Sequence, residues 1–298
     1  MSGGDRALPD SGRTEPRKRP WPWFLRRVNG IVGSVLLFVV FGAAFAGLVW
    51  TPYDPVAPDF RARFMPPDAA HWMGTDEWGR DVFSRILQGA RTSVFVALSS
   101  VSLAVIAGTL IGGLSGFFGS WLDRIVMMLT DALLAFPGLL LALAIMAIAG
   151  PSEEGVILAL ALSYMPSVIR LVRGAVLSIR EKEYVEASRA MGNSALFTLF
   201  RHVLPNCTAP LIVMATALFG SALLAESALS FLGLGVPPPA PTWGNMLSEA
   251  RGYFVQAPWL AAFPGLCISL ALLGINIFGD ALRDRLDPRM RGFEGGHH

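Results

Sequence analysis

The stretch REKEYVEASRAMGNSALFTLFRHVLPN, residues 180–206, is a polar segment between two long hydrophobic runs. It is too short and too charged to cross a bilayer, because a spanning helix needs about 20 apolar residues. Its pattern predicts one helix, a glycine break at Gly192, and a second amphipathic helix that stops at Pro205. We call this segment the hook, and a compact helix–glycine–helix unit of this kind offers a binding surface to a soluble partner.

The rest of the composition is typical of a membrane protein. Only 15% of the 298 residues are charged, against about 25% in soluble domains. The fold class predicted is all-α, a polytopic membrane helical bundle with six transmembrane helices. The fourth of these is the weakest by apolar length and includes Arg170 and Arg173 at its end. The predicted spans lie near residues 30–50, 92–115, 124–150, 154–174, 207–228 and 258–280.

The predicted division of the chain follows these spans. Residues 1–30 form a disordered or amphipathic N-terminal arm, because Pro, Gly, Arg and Asp are frequent there without apolar periodicity. The apolar run after this arm is longer than the core of a signal peptide, so it is predicted to be a span and not a cleaved leader. The other units are the first span with the segment that follows it, a core of five spans, and a tail, over residues 31–91, 92–283 and 284–298.

The distribution of basic residues predicts the orientation, because Lys and Arg accumulate on the cytoplasmic side of a membrane. With the N-terminus inside, 18 of the 24 Lys and Arg residues fall in cytoplasmic segments and 6 fall outside. Both termini and the hook are therefore predicted to be cytoplasmic.

Two segments are then extracytoplasmic, residues 51–91 and residues 229–258. In the first, apolar residues recur at helical spacing, which predicts an amphipathic helix on the membrane or on the bundle. They are Val82, Phe83, Ile86, Leu87 and Ala90. In the second, the prolines at 237–239 and 241 forbid a regular helix. We call residues 229–258 the cap, because irregular backbone near membrane depth must be covered by protein or line a wet cavity.

Small residues in the spans predict packing roles. Gly108 and Gly112 form a G-x-x-x-G pair, which allows two helices to approach closely. Cys207 and Cys267 both fall at or within predicted spans, so we expect them to be apolar packing residues and not a disulfide framework.

The chain lacks the residues for several chemistries. Its two lysines, Lys18 and Lys182, do not follow a glycine, so a phosphate-binding loop of the form G-x-x-x-x-G-K-[ST] is impossible. The four histidines form no H-E-x-x-H pair, and no metal-binding cluster of Cys and His is present. A net charge of +2 gives no support for nucleic acid binding. We therefore expect neither an enzyme activity nor a cofactor or metal in this chain.

Two carboxylates, Asp131 and Glu226, are predicted to lie inside spans. A charge near the bilayer centre costs several kcal/mol and usually faces protein or water. A structural pairing and a role in a pathway or gate both stay open for each of them. A proton-coupled transporter usually buries more carboxylates, often in two similar repeats, and we find no internal repeat of that kind.

The hook resembles the cytoplasmic EAA loop shared by permease subunits of ABC importers. That pattern is E-A-A, three residues, G, nine residues and I-x-L-P, and the residues that match it here are Glu186, Ala187, Ser188, Gly192, Leu204 and Pro205. Two positions depart mildly, since Ser188 replaces an alanine and His202 replaces an apolar residue. Longer segments resemble the "C" permease of the dipeptide, oligopeptide and nickel branch over about residues 60–290, and they begin at His71, Leu129, Ala225, Pro241 and Phe278.

The resemblance implies the type I ABC importer permease fold, a multi-pass location in the bacterial inner membrane, and import of di- or oligopeptides. It also implies a division of labour. A second homologous permease completes the pore, two cytoplasmic ATPases bind the hook through the matching residues, and an extracytoplasmic binding protein delivers substrate. ATP and Mg would be bound by the ATPases, which agrees with the missing phosphate loop.

Three alternatives stay open at this point. The same architecture could import a nickel chelate or another small solute, since no residue of the chain discriminates between substrates. The other two are an ion-coupled secondary transporter and an assembly scaffold without transport.

Overall fold

The computed structural model describes residues 28–286, so residues 1–27 of the predicted arm and 287–298 of the predicted tail lie outside the described range. No β-strand forms within this range, and the predicted all-α class is confirmed. The helices are α1 Val28–Val49, α2 Val82–Phe118, α3 Ser120–Leu134, α4 Gly138–Ala149, α5 Glu153–Ile179, α6 Glu183–Ala190, α7 Ala195–Thr198, α8 Thr208–Phe231, α9 Trp243–Ala250 and α10 Trp259–Leu286.

The helices long and apolar enough to cross a membrane agree with the predicted spans. Five of them pass the test of length and hydropathy individually: α1, α2, α5, the helical stretch Ala195–Phe231, and α10. The helices α3 and α4 pass the same test only together, and they meet at an angle of 90°. The predicted third span is therefore broken. Pro137 causes the break, because it has no N–H to donate and disfavours helical geometry at Phe136.

The predicted second span is much longer in the structure. The helix predicted to lie separately on the surface and the span after it form one 37-residue helix, α2, which begins at the N-cap Asp81. The boundary predicted between residues 91 and 92 thus falls inside a continuous helix. The prediction of a separate surface helix was wrong because Arg85, a charged residue between the apolar positions of this helix, is buried and is neutralised by Asp76 and Glu249.

The second helix of the hook does not stop at Pro205, so that prediction is also wrong. The chain continues from α7 through a π-helical turn, Leu199–Val203, and a 3₁₀ turn, Leu204–Cys207, directly into α8. Pro205 lies in the 3₁₀ turn, and Pro210 lies in the first turn of α8. Neither position needs an α-helical N–H, so both prolines are tolerated within one helical stretch.

The centre of the bundle is the packing of α2 against α5. A Cβ at Gly108 would come within 2.8 Å of the Val168 side chain, and one at Gly112 within 2.6 Å of the Ile169 carbonyl oxygen. The predicted close approach at this G-x-x-x-G pair is confirmed, and the backbones approach to a distance that only glycine allows. Cys207 is buried and unpaired, as expected of a packing residue.

Candidate functional site

The hook is a compact unit with its own small interior. Gly192 separates α6 from α7 with φ +83°, the left-handed conformation predicted from the sequence. The Ser194 hydroxyl caps α7 by accepting a hydrogen bond from the N–H of Phe197 at 3.2 Å. Val185, Leu199 and Val203 are fully buried behind this turn, so the two hook helices pack on each other and on the bundle.

Ser188 lies inside the hook and not on its surface. Ser188 as a whole residue is only 1% exposed to solvent. Its hydroxyl lies 3.1 Å from the Thr198 hydroxyl and accepts a hydrogen bond of 3.2 Å from the Asn193 amide. The serine that replaces the alanine of the E-A-A pattern thus links α6 to α7 through a buried polar contact.

Three contacts fasten the hook to the end of α2. The Arg189 guanidinium lies 4.9 Å from the centre of the Phe117 ring, and Arg180 donates a 2.9 Å hydrogen bond to the carbonyl of Gly116. Leu204 packs over Gly113, where a Cβ would come within 2.9 Å of it. Leu204 therefore belongs to this attachment, whereas Pro205 is exposed.

The exposed surface of the hook carries charges of both signs and apolar side chains. Glu186 and Ala187 are exposed, and nothing lies within 4 Å of a Cβ built at Gly192. The same segment is too polar to lie in lipid, yet it exposes several large apolar side chains. They are Tyr184, Met191, Leu196, Phe197 and Phe200. These residues are not among the predicted site residues, although the apolar positions on two faces of the second helix were a visible signal. An exposed apolar patch of this kind marks an interaction surface.

Asp131, the first of the predicted intramembrane carboxylates, pairs with Arg170 of α5 at 2.6 Å. Both side chains stay exposed, at 60% and 55%. A second ion pair lies beside it, in which Arg173 donates to both oxygens of Asp123 at 2.5 and 2.6 Å. The sequence pattern predicts neither the pairing of Asp123 with Arg173 nor that of Asp131 with Arg170, because the partners lie 50 and 39 residues apart along the chain.

Glu226, the second predicted carboxylate, is completely buried in α8. Its carboxylate accepts hydrogen bonds from the Ser230 hydroxyl at 2.8 Å and from the Ser227 hydroxyl at 3.4 Å. The hydroxyls of Ser93 in α2 and of Thr242, the N-cap of α9, lie beside it. The Ser93 hydroxyl also accepts a hydrogen bond of 3.3 Å from the N–H of Trp243 in α9. Glu226 therefore joins α2, α8 and the cap in one buried polar network and does not face open space.

The cap is further tied to the segment before α2 by charged groups. Arg85 donates to Asp76 and, at 2.8 Å, to Glu249 of α9. Arg80 bridges the same two carboxylates at 2.7 and 3.2 Å. The carboxylates of Asp76, Glu77 and Glu249 lie within 4.8 Å of one another, a grouping that could hold a metal ion. The two arginines already supply its positive charge, so the arrangement fits an ion-pair network better than a metal site.

Glu77, beside this network, has its pKa raised above the usual value of 4.5 because burial disfavours the charged carboxylate. The neighbouring carboxylates of Asp76 and Glu249 raise the pKa further, while its own backbone and Arg80 oppose the shift.

Comparison with solved structures defines the class of fold. The chain is similar to a chain of the MetNI methionine ABC transporter in an inward-facing conformation, with a TM-score of 0.55 and 18% identity. The match covers 68% of this chain and 96% of that chain. The bundle with its hook is thus the permease fold of an ABC importer, as predicted.

Sequence comparison then gives the family. The profile described as "Binding-protein-dependent transport system inner membrane component" matches residues 108–292, and the chain belongs to this family. It is 46% identical over 285 residues to the di/tripeptide transport system permease protein DppC of Pseudomonas aeruginosa, covering 93% of both chains. It is 44% identical to the dipeptide permease DppC of Alkalihalophilus pseudofirmus, covering 88% of this chain and 84% of the other.

A third relative is the glutathione transport system permease protein GsiD of Pectobacterium atrosepticum, 40% identical over 95% of this chain and 94% of that one. These relatives are permease components, so this chain is a multi-pass inner membrane permease and not a catalytic subunit. ATP hydrolysis belongs to a separate ATPase, and the family works with a substrate-binding protein.

Proposed function

We propose that this chain is one of two homologous permeases in an ATP-driven importer of di- and oligopeptides, with both termini in the cytoplasm. Two ATPases, which bind ATP and Mg, dock on the hook, and an extracytoplasmic binding protein delivers the peptide. The names of the relatives support the substrate class. The observation that carries the proposal is the exposed surface of the hook, which combines Glu186 with large apolar side chains on a segment too polar for the membrane.

This face has the composition of a docking surface. Aromatic residues and Met are enriched where proteins bind one another, and the hook exposes Tyr184, Met191 and Phe197 around Glu186. A side chain at position 192 would project into the open space beside the turn. Because Gly192 has no side chain, this space is left for a partner surface that approaches the turn closely. Glu186 supplies the charge that a basic group of the ATPase would pair with.

The roles proposed for the matching residues differ with their burial. Glu186, Ala187 and Gly192 form the surface that meets the ATPase. Ser188 and Leu204 keep the hook in shape and attached, while Pro205 shapes the 3₁₀ turn.

The helical stretch Ala195–Phe231 suits the hook to act as a lever. It carries the chain from the exposed turn to Glu226 and the cap without a break. At 1.5 Å per residue its 37 residues extend about 55 Å. Closure of the ATPase dimer would tilt the hook, and this helix would carry the displacement across the membrane, switching the pore from inward-facing to outward-facing.

The test uses the full importer reconstituted in proteoliposomes with its binding protein. Glu186→Arg and Gly192→Trp are expected to abolish peptide uptake while the permease still inserts and co-purifies with the second permease. Glu154→Arg, an exposed charge reversal at the start of α5, serves as the control and should transport normally. Wild-type uptake by both hook variants would show that the hook does not couple the ATPase to transport.

The substrate class is tested separately by uptake of labelled peptides. A strain that lacks the permease should lose uptake of labelled di- and oligopeptides and regain it when the chain is supplied. If the supplied chain restores uptake of a nickel chelate but not of peptides, the substrate is the nickel chelate and not a peptide.

A further inference from the structure

The two adjacent ion pairs between α3 and α5 differ in how firmly they are held. Asp123 accepts two hydrogen bonds from Arg173 and a third, of 2.6 Å, from the Ser115 hydroxyl. Its side chain is 19% exposed and that of Arg173 is 28% exposed. Asp131 and Arg170, by contrast, share a single hydrogen bond and are more than half exposed. The first pair is saturated and structural, whereas the second retains hydrogen-bonding capacity on both partners.

The exposed pair does not suit a lipid-facing position. Arg170 lies 17 residues after Glu153, about 25 Å along α5, within the thickness of about 30 Å of a hydrocarbon core. Asp131 lies at the level of the Arg170 guanidinium, which donates a hydrogen bond of 2.6 Å to it, and its own side chain is short. Charged groups at such positions face another protein surface or a water-filled cavity. This face of α3 and α5 therefore borders either the partner permease or the transport pathway.

The shape and lining of this face favour the pathway. An open cavity of about 730 Å³ lies along α3, with Asp131 and Arg124 on its wall together with the saturated pair of Asp123 and Arg173. Arg170 adjoins this wall through its hydrogen bond to Asp131. Arg124 is exposed and has no ion-pair or hydrogen-bond partner among residues 28–286. Met127 and Met128 line the same cavity, and methionine side chains adapt to ligands of different shape. The cavity thus combines both signs of charge with an adaptable apolar wall.

We propose that this cavity is a peptide subsite, in which the Asp131 carboxylate receives the amino terminus and Arg170 and Arg124 receive the carboxylate terminus. This inference rests on the proposed peptide import. A zwitterionic peptide offers one charge of each sign, and the exposed Asp131–Arg170 pair can exchange its mutual contact for contacts to the peptide. Exposed ion pairs are individually weak, so the exchange leaves the peptide loosely held, as release to the cytoplasm requires.

The test measures peptide transported per ATP hydrolysed in proteoliposomes that contain the complete importer and a labelled dialanine probe. Asp131→Asn and Arg170→Gln are each expected to lower this ratio at least about tenfold, the effect of losing one charged hydrogen bond to the passing peptide. Asp123→Asn is the matched control on the same cavity wall, because hydrogen bonds from Arg173 and Ser115 already occupy the Asp123 carboxylate. It should lower thermal stability and leave the ratio within about twofold of wild type.

A charge exchange separates a peptide contact from a structural ion pair. The double variant Asp131→Arg with Arg170→Asp rebuilds the pair with opposite polarity, so a purely structural pair would regain full transport. The proposal expects no recovery, because Arg124 keeps its sign and the peptide termini would meet the wrong charges. Full recovery would overturn the subsite.

Co-purification with the second permease provides the other decisive outcome. Loss of the heterodimer in Asp131→Asn would assign this face to the permease interface and would also overturn the subsite. Absence of dialanine uptake by the wild-type importer would instead refute peptide import itself. Wild-type uptake with an unaffected ratio in both single variants would refute only the subsite.

Discussion

The hook and the cap lie at opposite ends of the helical stretch Ala195–Phe231 and are fastened to the bundle by different forces. The hook is attached to the bundle mainly by apolar packing and by the stacking of Arg189 on Phe117, with one hydrogen bond from Arg180 to the carbonyl of Gly116. The cap is held by the hydroxyl network of Glu226 and by the ion pairs of Arg80 and Arg85. Hydrogen bonds require defined angles, whereas apolar contact is non-directional.

This difference suggests which end can move. The cap is fixed in one geometry relative to α2 and α8, because a shift would break several directional contacts at once. The hook can tilt against the end of α2 while keeping most of its buried apolar area. The end proposed to receive the ATPase is thus the end whose contacts tolerate displacement.

The largest expected effect is at the cap, in the variant Trp243→Ala. Trp243 is almost fully buried, its indole N–H donates to the carbonyl of Ile86 at 3.2 Å, and its ring packs on Gly89. Truncation should lower the free energy of unfolding by about 3–5 kcal/mol. Thermal unfolding in detergent, followed by tryptophan fluorescence, measures it. Trp121→Ala, which removes an exposed tryptophan, is the control. An equal loss of unfolding free energy in both variants would contradict the role of Trp243 in fastening the cap.

A smaller effect is expected in the hook, in the variant Ser188→Ala. This change restores the alanine of the E-A-A pattern and removes the contact with the Thr198 hydroxyl. The free energy of unfolding of the hook should fall by about 0.5–1.5 kcal/mol. Limited proteolysis at the hook measures this fall. A stability gain in Ser188→Ala would mean that the hydroxyl contact does not hold the hook.

The smallest expected effect is the pH dependence at Glu77. Its pKa is raised in the folded protein, so between 4.5 and that raised value the folded chain holds a proton that the unfolded chain has released. The stability from this group is present at low pH and is lost as pH rises through that window. Glu77→Gln should reduce the fall in Tm from pH 4.5 to pH 7. Glu154→Gln is the exposed control, and an unchanged Tm profile in Glu77→Gln would contradict the assignment.

Local patterns predicted much of this protein correctly because they depend on near neighbours. Apolar length located the spans, and the motif spacing located the hook with its left-handed glycine at Gly192. The same local reading failed at Arg85 and Pro205, where it predicted a surface helix and a helix end. Arg85 enters the bundle because Glu249, 164 residues away, neutralises it, and Pro205 is accommodated by π and 3₁₀ turns.

By itself the sequence determined the all-helical membrane class, the family resemblance and the place of the hook, since these follow from composition, apolar length and motif spacing. Only the tertiary structure decided that Ser188 faces inward, that Asp131 pairs with Arg170, and that Glu226 fastens the cap. The physical reason is that burial and charge pairing depend on partners distant in the chain, and a one-dimensional pattern does not specify which of them meet.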